Sequence, residues 1–397
     1  MAEASPTTPR PRLVHVPALD GLRGLAALVV VVRHTMNGIA MPVDVRRAML
    51  QGPLALVLNS TGAVQIFFVL SGYVLAGSLT RGMRGVDLLQ YNVRRIFRIH
   101  PPYVAGVLFA WALSFLYSRP LITQAFAPLR TFFMSVHPSV AELLTTLWFP
   151  GEALNLLPVG WTLRVEMVQS FLLPLLMVAA RLGHGLPLLV LAGILATING
   201  VPESLRHTLA FSLGIVTFRE RELLERAGAR LGRAAGLLLP AALLLHTAPL
   251  VFGQLESRQI PIIMPHAGLW FLVMSLGAWA VVTAVLLRPR PRRFLSIAPI
   301  AWLGQVSYSL YLVHLTVLHT VTWLWPSQLR ITLLGGIALL AAVLVISLPL
   351  AWIGWRLVER PSIFAGNWVC RRLARRLATR PLPSARADVP DLGAGVR

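Results

Sequence analysis

The first long apolar run of the chain carries Asp20, Arg23, Arg33 and His34. Arg23 and His34 are eleven residues apart. On a helix that spacing places them within about 20° of one direction and about 16 Å apart along the axis. Asp20 precedes Arg23 by three residues and can pair with it. Ionisable side chains within a bilayer cost roughly 2.5–3.5 kcal/mol each, so such a group is a functional candidate by default. An acid, a cation and an imidazole together suit acid–base chemistry or a proton path. Glu166 follows the turn Pro158-Val159-Gly160 in a fourth apolar run. If the N-terminus is cytoplasmic, Glu166 lies about 9–10 Å below the outer surface, a depth similar to that of His34. The two are therefore expected to meet. Arg164 is two residues from Glu166 and points about 200° away on a helix, which weakens it as a partner. Ser307, Tyr311 and His314 recur at i, i+4 and i+7 and form one polar stripe, with Tyr308 beside it. A snorkelling Asp20–Arg23 anchor and a structural hydrogen-bond seam are the plainer readings of the same residues.

Arg94, Arg95 and Arg98 share a face if their segment is helical. Three guanidinium groups at a membrane interface suit a polyphosphate such as that of coenzyme A. Inside-positive topology or lipid headgroups account for the same cluster.

These residues need a membrane scaffold. Of 397 residues, 56% are hydrophobic and 13% charged, which excludes a soluble enzyme with a single buried core. The expected fold class is all-α, a polytopic bundle of about ten transmembrane helices. The ten apolar runs lie near Leu19–Ile39, Gly62–Leu79, Pro102–Tyr117, Gly160–Arg181, Leu186–Ile198, Leu205–Phe218, Ala234–Phe252, Ala267–Leu287, Pro299–Trp325 and Ile331–Leu357. All 36 basic residues are arginine, against 15 acidic ones, for a net charge of +21. The arginines cluster between runs, at Arg81–Arg98, Arg219–Arg233, Arg288–Arg293 and in the C-terminal tail. This places both termini in the cytoplasm of a cell (inner) membrane and points to anionic lipid, not nucleic acid, as the partner of the charge. The lysine-free composition suggests a GC-rich bacterial source. Residues 1–18 read as a cytoplasmic segment, 19–360 as the membrane domain, and 361–397 as a basic, disordered cytoplasmic tail. The first run reads as a retained helix, not a cleaved signal. The segment Ser118–Pro158 is apolar enough to fold back on the membrane. The single Cys370 permits no internal disulfide and no Cys-based metal site.

Six segments in order resemble the acyltransferase-3 family of integral membrane O-acyltransferases. They are Leu19–Ala26 with His34, Phe67–Tyr73, Arg95-x-x-Arg98-Ile99-x-Pro101, Trp161–Glu166, Val306–His314 and Val358–Pro361. The resemblance implies that an acyl group, acetyl by default, passes from cytoplasmic acyl-CoA to a hydroxyl of a glycan, a glycolipid or a secreted macrolide-like molecule. No permanently bound cofactor and no metal is implied. Carried over by position, His34 and Arg23 form the essential pair and Glu166 completes the catalytic set. Arg94, Arg95 and Arg98 would hold the donor, and Trp161 would line the acceptor entrance. Asp20, Tyr311, His314 and Glu359 would complete the substrate site, with Glu359 competing with Glu166 as the essential acid. Gln65 stands where an acid often precedes the Phe67-Phe68 pair, and Arg164 where a small residue is usual. A proton-coupled transporter is the rival reading, because intramembrane acids, bases and cations also build proton paths.

Overall fold

The computed structural model describes residues 16–39, 43–51, 53–79, 85–116, 138–148, 156–256, 267–325 and 333–378. Each of the ten apolar runs is mainly helical over its described residues. We number the long helices α1 (Pro17–Asn37), α2 (Ser60–Leu79), α3 (Gly85–Ser114), α4 (Gly160–Ala179), α5 (Leu186–Thr197), α6 (Thr208–Arg219), α7 (Leu238–Glu256), α8 (Ala267–Leu287), α9 (Ala298–Leu324), α10 (Leu333–Gly354) and α11 (Arg360–Ala378). Among the described residues, five helical stretches are long and apolar enough to cross a membrane: α2, α3, α4, α8 and the stretch through α10 and α11. A bent pair, Arg221–Arg230 with Ala234–Pro249, makes a sixth if it is one span. The other apolar runs are helices of a different kind. Helix α5 has 12 residues, or about 18 Å, short of a bilayer. Helix α1 carries three charges and α9 a polar stripe.

Three boundaries depart from the sequence expectation. The run at Pro102–Tyr117 does not begin a new helix, because Pro101 and Pro102 sit inside α3, which carries the arginine cluster into the same rod. The run at Leu205–Phe218 is broken at His207, between the turn Glu203–Arg206 and α6. The expected disorder after Pro361 is corrected as far as Ala378. Helix α11 continues from α10 through a π-helical turn, Trp355–Glu359, and lies along α3. Cys370 is buried there with its thiol 3.3 Å from the Gln90 carbonyl oxygen. Helical spacing of the buried α11 side chains outweighs their basic neighbours. Residues 1–15, 118–137, 149–155 and 379–397 lie outside the described residues. Of the Ser118–Pro158 segment, Val140–Leu147 is a helix capped by Ser139 and Glu142 in a reciprocal capping box.

The bundle is centred on α1, α2 and α9. Helices α1 and α9 meet backbone to backbone through glycine, since lipid supplies no hydrophobic drive and close packing must hold helices together. A Cβ on Gly24 would fall 2.6 Å from the Gly304 nitrogen, and one on Gly304 would overlap the Asp20 carbonyl oxygen. Gly304→Ala is therefore expected to cost about 1–3 kcal/mol by forcing the helices apart. Gly85→Ala, where nothing lies within 4 Å, is the neutral control. Equal melting temperatures for the two variants in detergent would show that the contact is dispensable.

Candidate active site

Helices α1, α2, α3, α4 and α9 converge on a cavity of about 480 Å³. Its apolar wall is built by Val64, Phe67, Phe68, Ile99 and Leu163. Its polar wall is built by Asp20, Arg23, Ser71, Arg95, Arg98, Glu166, Tyr308 and Tyr311. A charge in a low-dielectric interior must be paired, and each of the three arginines is. Arg23 Nη1 lies 2.9 Å from Asp20 Oδ1 one turn earlier on α1. Arg95 Nη2 lies 2.7 Å from Glu166 Oε1, and Arg95 Nε donates to the Ser170 hydroxyl at 3.0 Å. Arg98 Nη1 lies 2.7 Å from Glu359 Oε1, whose other oxygen accepts from the Ser309 hydroxyl at 2.8 Å.

These pairs refine one expectation and correct another. Arg94, Arg95 and Arg98 share a face as expected and all reach one further cavity, but their charges are held separately. Arg94 is exposed and donates to Gln90 one turn back, while Arg95 and Arg98 each hold a carboxylate of another helix. Glu166 does not orient His34. It accepts from Arg95 and from the Ser71 hydroxyl at 3.3 Å, because a guanidinium is a stronger partner for a buried carboxylate than a neutral imidazole.

The partner of His34 is His314. Its Nε2 lies 2.9 Å from His34 Nδ1, and the two rings meet edge to edge, with planes within 14° and centroids 5.1 Å apart. The tautomers follow from the network. Leu310 O, 3.2 Å from His314 Nδ1, can only accept, so His314 carries its proton on Nδ1 and accepts at Nε2. His34 then donates from Nδ1 and keeps Nε2 as its basic nitrogen. His34 does not itself line the cavity. Tyr311 does, and its ring packs on His314 at 5.7 Å, so the histidine pair is one side chain removed from the cavity wall. The Thr162 hydroxyl lies 2.9 Å from the Val159 carbonyl and 3.1 Å from Tyr311 Oη. Since the carbonyl takes the Thr162 proton, Tyr311 donates to Thr162. Arg33 bonds Asn37 within α1 and has no part in the site.

The family model described as an acyltransferase domain matches residues 16–356. The chain belongs to the acyltransferase-3 family. No curated protein and no solved structure matches it. The chain is thus a membrane acyltransferase, and the matched span holds every helix that lines the cavity. Glu359 lies three residues beyond it, on the π-helical turn.

Other acyltransferase-3 motif residues fall elsewhere. Trp161 does not line the cavity; it packs on His207 at 5.7 Å. Gln65 is fully buried and bridges His207 Nδ1, at 2.9 Å, and the Ser275 hydroxyl, at 3.3 Å. An amide donates and accepts at once, which suits this seam. Ser71, Ser170 and Ser309, which complete the ion-pair network, were not singled out from the sequence. Ser71 and Ser309 sit in segments that marked the family, and Ser170 does not. A second cavity of about 520 Å³ adjoins the first and shares Leu75, Arg95 and Arg98 with it. It lies between α2, α3 and α11, and Arg94, Asp87 and Asn367 reach it.

Proposed function

We propose that the protein is an O-acyltransferase that takes an acyl group, acetyl by default, from acyl-CoA. The acceptor is a hydroxyl of a glycan, a glycolipid or a secreted small molecule. The observation that carries this reading is the His34–His314 pair, which lies one side chain behind the wall of a cavity lined by three arginines. The arginine-rich end faces the cytoplasm of the cell membrane, where the donor is made. The donor passes Arg94 at the mouth of the second cavity and Arg95 and Arg98 at the neck that both cavities share. Its thioester fills the central cavity up to Tyr311, and the acceptor approaches from the His34 side. His34 Nε2 removes the hydroxyl proton as the oxygen attacks the thioester carbonyl. Tyr311, on the cavity wall and packed on His314, is the hydroxyl placed to stabilise the oxyanion, while Arg23, about 16 Å further down α1 from His34, serves the donor end of the cavity. Collapse releases the ester and the coenzyme A thiolate, which takes the proton back from His34.

The test uses inside-out vesicles supplied with acyl-labelled acetyl-CoA, then with other acyl-CoA donors. Label is expected in a glycan, lipid or small-molecule fraction. Failure of every donor in vesicles of the native host, with folded protein present, would overturn the reading in favour of a transporter. Arg95→Ala is expected to raise the donor KM about tenfold while lowering kcat less, because a ground-state contact is lost. A variant with unchanged KM and a lower kcat would remove Arg95 from donor binding.

A further inference from the structure

The three arginines of the central cavity are already matched by Asp20, Glu166 and Glu359. A third, smaller cavity of about 110 Å³ is different. It shares Val16 and Tyr73 with the central one and is lined on its polar side by Arg221, Arg292, Glu225, Thr217 and Thr283. Arg221 opens the helix Arg221–Arg230, and Arg292 belongs to the short helix Pro289–Leu295, so two separate segments deliver the guanidinium groups. Among the described residues, neither has a carboxylate within ion-pair distance; Arg221 packs on the Phe218 ring instead. The lining carries two cations against the single anion Glu225. Thr283, nine-tenths buried, has a hydroxyl without any hydrogen-bond partner.

We propose that this pocket is a phosphate-binding site at the arginine-rich mouth of the acyl-transfer cavity, formed by Arg221, Arg292 and Thr283. Two planar guanidinium forks and a hydroxyl donor suit a tetrahedral oxyanion, and the volume admits one phosphate but not a nucleoside or a sugar. The positive N-terminal end of the Arg221–Arg230 helix favours the same charge. The neck arginines are less suited, because a phosphate there must compete with Glu166 and Glu359, and Asp87 also faces the second cavity. The phosphate belongs either to the acyl donor or to an anionic lipid headgroup. The first source rests on the acyl-CoA reading above; the second does not.

The test takes the purified full chain in phosphatidylcholine nanodiscs and titrates it with radiolabelled adenosine 3′,5′-bisphosphate. A parallel arm uses nanodiscs containing phosphatidylglycerol and measures its retention on the protein by mass spectrometry. Arg221→Gln and Arg292→Gln are each expected to weaken binding about tenfold, the loss of one charge-assisted bond. Thr283→Val is a milder variant that keeps the pocket's shape and weakens binding less. Arg226→Gln, which removes an exposed arginine one turn further along, is the control and stays at wild-type affinity. Loss of nucleotide binding in the variants identifies the donor as the source; loss of phosphatidylglycerol retention alone identifies the lipid. If folded Arg221→Gln and Arg292→Gln proteins keep both, there is no phosphate site here. His34→Ala should bind phosphate normally while transferring nothing. If the wild-type protein binds phosphate in an arginine-dependent way yet transfers no acyl group from any donor, the transferase reading fails and this one stands.

Discussion

His34→Ala is expected to lower acyl transfer by about 10³-fold or more and to leave the protein folded. The size follows from removing the general base, whose contribution is typically about 10²–10⁴-fold. The fold survives because the lost bond joins two neutral rings, and one such bond is worth only about 1 kcal/mol. His314→Ala should be milder, about 10²-fold, since it leaves the base in place but frees its orientation and tautomer. His314→Gln separates positioning from packing. Its amide oxygen can accept from His34 Nδ1, so part of the rate should return with KM for the donor unchanged. Initial rates in vesicles, read beside melting temperatures in detergent, check all three. Near wild-type transfer by a folded His34→Ala protein would sink the mechanism. Equal rates for His314→Ala and wild type would reduce the histidine pair to a structural contact.

What could be read in advance follows the range of each interaction. Asp20 and Arg23 are three residues apart, so helical spacing alone pairs them, and the structure has them at 2.9 Å. The apolar runs are equally local, and each is mainly helical. The partners of Glu166 and Glu359 are Arg95 and Arg98, far away in the chain, and no periodicity reports which helices are neighbours. Depth arithmetic brought Glu166 level with His34, but Thr162, one turn earlier on α4, is the residue that reaches Tyr311 beside His314, and Glu166 turns to Arg95 on α3 instead. The stripe Ser307–Tyr311–His314 was visible as a stripe. That it delivers His314 to His34 depends on α1 and α9 closing through Gly24 and Gly304, a contact between segments about 280 residues apart. Helix α11 was hidden for another reason: it has Pro361 in its first turn and carries five arginines, while its period is carried by a few residues such as Ile363, Asn367 and Cys370, which face α2 and α3.

Arg98→Ala should destabilise the protein more than Glu359→Gln, although the two residues form one ion pair. Glu359 is fully buried, whereas the Arg98 side chain keeps 36% of its exposure. Removing Arg98 strands a carboxylate with only the Ser309 hydroxyl to hold it, and breaking a buried pair from that side costs about 3–5 kcal/mol. Removing the Glu359 charge leaves an arginine that can turn to water and still rests over the Tyr308 ring. The double variant should recover much of the loss, and the cycle should show a coupling of about 1 kcal/mol or more between the sites. Thermal melts in detergent measure it, with exposed Arg94→Ala as the reference. An Arg98→Ala protein as stable as Arg94→Ala would mean that Glu359 is not charged in the folded state. The same comparison separates the two acids. Glu359 lies outside the cavity lining and anchors α3 to the end of α10, so its loss should appear as stability. Glu166 faces the cavity beside Arg95, so Glu166→Gln should lose rate as well as stability, because it leaves the largely buried Arg95 without its carboxylate.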